Sequence, residues 1–171
     1  AQYLPLPCHD VLVVELPYGW TGQTLPRLLV VPARGETLSD GFTLWWERAV
    51  DSFAVAGEGQ VFGRRGTLNA ALDATGFLHH EAGLDVSFTS PDDDLDDMPF
   101  DEGVGTRRFL VFIGDEILLG WEPTLVSAGR YTVSVLRSQL GTTRGQHDVG
   151  AECWCVQLGE LPVLEWAPPK D

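Results

Sequence analysis

The chain has 171 residues, enough to bury one good core or two small domains sharing an interface. With 44% hydrophobic and 21% charged residues it has the composition of a folded globular protein, and no apolar run approaches the ~20 residues of a membrane-crossing helix. The formal net charge of -14 repels the phosphates of nucleic acid and anionic lipid headgroups, so neither nucleic acid nor a membrane is an expected partner.

The first residue is Ala1 rather than Met, which a piece of a longer polypeptide explains most simply and trimming of an initiator Met explains as well, and no basic then apolar opening suggests a secretory signal. Glycine (19) and proline (11) divide the chain into short runs rich in Val, Leu, Phe, Trp and Thr. That spacing predicts an all-β fold, an antiparallel β-barrel or β-sandwich built as one or two closely packed small β domains. In chain order the expected strands are Val11 to Leu16, Arg27 to Val31, Phe42 to Trp46, Phe53 to Ala56, Leu84 to Ser90, Arg108 to Ile113, Ile117 to Glu122, Arg130 to Arg137, Ala151 to Leu158 and Leu161 to Trp166.

Trp45 and Trp46 are neighbours on one strand and face opposite ways, so only one can lie in a given core, leaving the other for a second layer, a partner or a ligand. A boundary is expected near Glu58-Gly59 or within Gly63 to Gly66, dividing an N-terminal β segment, 1–58, from a barrel or sandwich over 59–171; a single domain running through it is the other reading. Gly63-Arg64-Arg65-Gly66 reads as a turn, and Thr67 to Ala74 as the stretch best suited to one or two helical turns.

Leu84 to Thr89 alternates strictly, as do Tyr131, Val133 and Val135, which describes strands with one face on a core. Arg108 to Ile113 and Ile117 to Leu119 flank Gly114-Asp115-Glu116, where glycine supplies positive φ, predicting an antiparallel hairpin. Val86, Phe88, Phe112, Ile117, Val133, Val135 and Val156 are the expected shared core. Between these strands the acidic stretch from Pro91 to Gly103 is expected to be exposed, mobile and unnecessary for folding, because clustered aspartates repel and lose solvation when buried.

The chemistry-bearing residues are sparse. Asp92, Asp94 and Asp96 offer alternate carboxylates to a calcium ion, yet the glycine and glutamate of an EF-hand loop are replaced by Asp97 and Gly103. Cys153 and Cys155, with Cys8 and His9, lack the turn spacing of a zinc knuckle, and three cysteines make no disulfide framework. Their Cα atoms lie about 6.6 Å apart on a strand, side by side, so they read as reduced core thiols. Four histidines and many acids form no nucleophile elbow, metalloprotease motif, phosphate loop or dinucleotide fingerprint. No cofactor, metal or catalytic residue is nominated.

Arg137 closes a strand ahead of Gly141-Thr142-Thr143-Arg144-Gly145. Two readings of this stretch stand level: an arginine that, helped by His147, ties the loop to a neighbouring strand, and a solvent-exposed polar turn.

From the middle onward the order of features resembles the putative phage tail proteins related to the lambda-like tail-tip attachment protein and the gene-transfer-agent tail protein with a TIM-barrel-like region. The residues carrying this are Gly114-Asp115-Glu116-Ile117-Leu118 for that family's "GEIL", Gly129-Arg130-Tyr131-Thr132-Val133, then Leu136-Arg137-Ser138-Gln139-Leu140-Gly141-Thr142 for its "LLRG-x-x-GT", His147 and Gly150. The resemblance covers 84–158, and 8–83 by order of elements alone. Two departures stand out, Asp115 inserted in the "GE" pair and Ser138 in place of glycine, the second suggesting a different turn geometry after Arg137.

What the resemblance implies is a non-enzymatic structural component of a tail-tip or baseplate hub. It would be assembled in the bacterial cytoplasm into the virion tail tip as a homotrimer, against other tail-tip proteins or domains of its own polypeptide. Arg137, Gly141, Thr142, His147, Trp45, Trp46 and Trp121 are the candidate structural and interaction residues. The rival class is a sugar-binding β-sandwich with Trp20, Trp46 or Trp121 as platforms. A glycosidase resting only on abundant carboxylates ranks behind both.

Overall fold

The computed structural model describes residues 10–16, 27–33, 41–75, 81–90, 93–157 and 163–165. In chain order the strands are β1 (Val11–Glu15), β2 (Arg27–Pro32), β3 (Phe42–Ala49), β4 (Ser52–Gly59), β5 (Arg64–Leu68), β6 (Glu81–Phe88), β7 (Phe100–Asp101), β8 (Thr106–Ile113), β9 (Glu116–Ser127), β10 (Arg130–Leu136), β11 (Glu152–Gln157) and β12 (Val163–Glu165). The expected all-β architecture is present as a closed antiparallel barrel in the order β11-β5-β6-β10-β9-β8, sealed by pairing of β8 with β11. Closure leaves these strands no open edge.

Period-two alternation sends one row of side chains into the barrel. Leu84, Val86 and Phe88 of β6, Val133 and Val135 of β10, Phe109, Val111 and Ile113 of β8, and Cys153 and Cys155 of β11 are all buried in one interior cluster. Both cysteines are free, as the sequence suggested. On β8, β9 and β11, residues that point outward are buried as well. Leu110, Phe112, Ile117, Trp154 and Val156 pack under Leu16, Leu29 and Val31, so the sheet β1-β2-β12 lies over the barrel wall.

This corrects the expectation of one shared core. Phe112, Ile117 and Val156 belong to the outer cluster, whereas Val86, Phe88, Val133 and Val135 line the barrel. A strand buried on both faces carries an unbroken apolar run, as Phe109 to Ile113 does, and the run does not say which residues face which core.

Two local expectations also change. Gly63 to Gly66 is no turn, because Arg64–Leu68 is a barrel stave pairing with β6 and β11. Gly66 permits this: a Cβ there would stand 2.6 Å from the Ser87 carbonyl oxygen and 2.9 Å from Val86. Nor does Thr67 to Ala74 form a helix. Thr67 and Leu68 finish β5, the Asn69 N–H donates to the Asp85 carbonyl (2.8 Å) and the Leu72 N–H to that of His147 (2.8 Å), so neighbouring segments take the donors a helix would use. Among the described residues the helical structure is a single 3-10 turn, Gln139–Gly141.

The hairpin joining β8 and β9 forms as expected, with Ile113 opposite Glu116 and Gly114 at φ 55. The acidic stretch is only partly what its charge implied. Asp96 and Asp97 are exposed, but Leu95 and Met98 on either side of them are fully buried in the barrel core. Arg64 fastens the loop from the barrel side, its Nε donating to the Asp94 carbonyl (2.5 Å) and its guanidinium pairing with Asp97. Pro91 and Asp92 lie outside the described residues.

Candidate functional site

β9 and β10 are neighbours in register, with Leu136 opposite Leu119, so the end of β10 lies beside the start of β9. Glu116 opens β9 and Arg137 follows β10, and both side chains are almost wholly buried, at 1% and 3% exposure. Their groups meet as a two-pronged fork. Arg137 Nε donates to Glu116 Oε1 (2.8 Å) and Nη2 to Oε2 (2.6 Å). Two further guanidinium N–H groups reach backbone carbonyls of two other segments, Asp73 (2.7 Å) and Gly145.

The carboxylate is equally occupied. Oε1 accepts the Ser138 N–H (3.1 Å), and Oε2 accepts the Gly145 N–H (3.1 Å) and His147 Nε2 (2.8 Å), which requires the proton on Nε2. Thr142 Oγ1 donates to the Gln139 carbonyl (2.7 Å) and accepts the Ile117 N–H (3.0 Å), fastening the loop to β9. His147 and Leu72 exchange backbone hydrogen bonds of 2.9 and 2.8 Å. Segments 72–75, 116–117 and 137–147 are thus bound into one clamp. Of the two readings of Arg137, the structure takes the tie and not the exposed turn.

Burial by itself raises the Glu116 pKa, but the Arg137 fork, the Gly145 N–H and His147 more than offset it and hold the carboxyl at about 2 against an ordinary 4.5. A depressed folded-state value stabilises above the unfolded pKa and is lost as pH falls through the folded one. Glu116 is therefore expected to contribute about 3 kcal/mol at neutral pH, draining away between about pH 4.5 and about pH 2. Urea unfolding across that range checks it. Glu116→Gln should flatten the acid limb, and an unchanged limb in that variant would refute the assignment.

The loop after Arg137 is strained. Ser138 and Leu140 sit at φ 57 and 55, and Gly141 at φ 78. Ser138 thus holds the left-handed conformation that glycine serves best. Its Oγ is buried without a hydrogen-bond partner. Ser138→Gly is expected to stabilise the protein by about 1 kcal/mol, whereas Ser138→Ala, keeping a Cβ, gains little. Thermal melting of the two variants distinguishes strain from chance.

The structure brings Arg137, Thr142 and His147 together, and Gly141 turns the chain between them without touching the carboxylate. It leaves the tryptophans elsewhere. Trp121 is half-buried midway along β9, where it pairs with Arg108 and Ser134 beside a bulge at Glu122 (φ 51). Trp45 is 61% exposed and Trp46 half-buried on opposite faces of the β3–β4 ribbon, as adjacent strand residues must be. Trp154 is buried, and Trp20, Trp166, Cys8, His9, His79 and His80 lie outside the described residues.

The residue sequence reasoning missed is Glu116, which was read as turn. One signal pointed to it: the second of two acids at a tight hairpin, directly heading the apolar run Ile117-Leu118-Leu119. Five donors occupy the Glu116 carboxylate, and four of the five guanidinium N–H groups of Arg137 have acceptors. Among the described residues no three His, Cys, Asp or Glu side chains are placed to share a metal ion. No protein-family model and no curated protein matches the chain.

Proposed function

We propose that this chain is a structural, non-enzymatic component of a phage or phage-derived tail-tip or baseplate hub that mediates subunit assembly at the distal end of the tail. The observation that carries this reading is the convergence of Glu116, Arg137, Thr142 and His147, four residues of the tail-protein resemblance, in one buried clamp. A motif spread along the chain acquires a physical reason for its spacing when it closes a barrel end. That reason is architectural, and a buried ion pair whose carboxylate accepts five hydrogen bonds supports a scaffold better than a reaction centre.

In this reading the partners are other tail-tip proteins or domains of the same polypeptide, with three copies about the tail axis. The sugar-binding alternative draws on Trp20, Trp46 or Trp121; Trp20 lies outside the described residues, and the other two are half-buried, which leaves less ring face for a sugar. Immunogold labelling of particles released from the source bacterium tests the proposal. Antibodies against the chain should mark the end of the tail tube. Label on the capsid, or absence of the chain from purified particles, would sink it.

A further inference from the structure

We propose that the β3–β4 ribbon is a docking edge for an extended segment of another polypeptide that presents apolar and basic side chains. The inference rests on the ribbon alone and does not require the tail-tip reading.

Three observations converge. First, among the described residues β3 and β4 pair only with each other, so each strand leaves its outer row of N–H and C=O groups open. A two-stranded ribbon is marginal by itself in water, and an added strand satisfies that row. Second, the ribbon's faces are unequal. Leu44, Trp46, Ala54 and Ala56 are half-buried, while Trp45, opposite Val55, and Phe53, opposite Glu47, are 61%, 50% and 59% exposed. That is a contiguous aromatic and aliphatic patch, and tryptophan is the side chain most often responsible for binding energy at interfaces.

Third, acids outnumber bases on the ribbon, where Glu47, Asp51 and Glu58 stand against a single cation, Arg48. The three acids are exposed around the patch, and among the described residues none of them has an ion-pair partner. A second copy of a chain with net charge -14 would bring the same acids against them. A segment with Lys or Arg among its apolar residues complements both features at once.

The test selects ligands from an mRNA-displayed random dodecapeptide library on the whole chain. Trp45→Ser and Phe53→Ser serve as controls, and because both side chains are exposed, their melting temperatures should match the parent. Enriched peptides are expected to be cationic and apolar, to bind the parent at least about tenfold more tightly than either variant, and to weaken several-fold between ~0.05 and ~0.5 M salt. Failure of any peptide to enrich, enrichment of neutral or acidic peptides, or binding indifferent to both substitutions overturns the proposal. So does self-association in sedimentation, or binding to phosphatidylcholine vesicles, that Trp45→Ser abolishes, since each names a different occupant.

Discussion

Replacing Arg137 by methionine is expected to lower the free energy of unfolding by about 3 to 5 kcal/mol at neutral pH. Methionine keeps much of the aliphatic stem, so the loss is electrostatic and not a cavity. Glu116 would stay buried with only two backbone N–H groups and His147, while the Asp73 and Gly145 carbonyls lose their donors. With the fork gone and burial still raising its pKa, the carboxyl should also titrate at higher pH, so acid sensitivity begins earlier. Arg137→Lys keeps the charge but not the planar fork, and should fall between. Replacing Glu116 by leucine together with Arg137→Met removes the stranded charge and should recover part of the stability. The resulting double-mutant cycle is expected to show coupling of at least ~2 kcal/mol, measured by urea unfolding. Independent, additive effects would mean that the two groups do not depend on each other.

The second large effect is expected in the loop that its charge marks as dispensable. Leu95→Ala and Met98→Ala should each destabilise the protein by about 2 to 5 kcal/mol, because both side chains are at 0% exposure in the barrel core and truncation leaves a void. Asp96→Asn, on an exposed neighbour, should change stability by no more than about 0.5 kcal/mol. Deleting the loop should therefore resemble a core mutation and not a surface trim. If Leu95→Ala and Asp96→Asn melt alike, Leu95 does not plug the barrel.

These cases mark where sequence reasoning reaches its limit. Strand identity was legible where one face is wet: β6 and β10 alternate, and glycine at the β8–β9 turn announced the hairpin. Arg137 was legible as a residue with a possible tie, since an arginine at a strand end before a glycine-bounded loop has donors to place. Its partner was not, because Glu116 lies 21 residues away and its carbonyl acceptors at Asp73 and Gly145 leave no trace in side-chain identity. Leu95 was hidden by its neighbours, as net charge describes the solvated atoms of a loop and not the apolar one turned inward.

By itself, the sequence determined that this is an acidic all-β protein with reduced core thiols, because period-two alternation and turn residues are local properties of the chain. Only the tertiary structure decided that β8 closes on β11, that Phe112, Ile117 and Val156 face an outer layer, and that a glutamate read as turn is the acceptor at the centre of the clamp. Those outcomes depend on which distant segments meet. Strand closure and buried ion pairing are set by contacts between residues far apart in the chain, where local propensity carries no information.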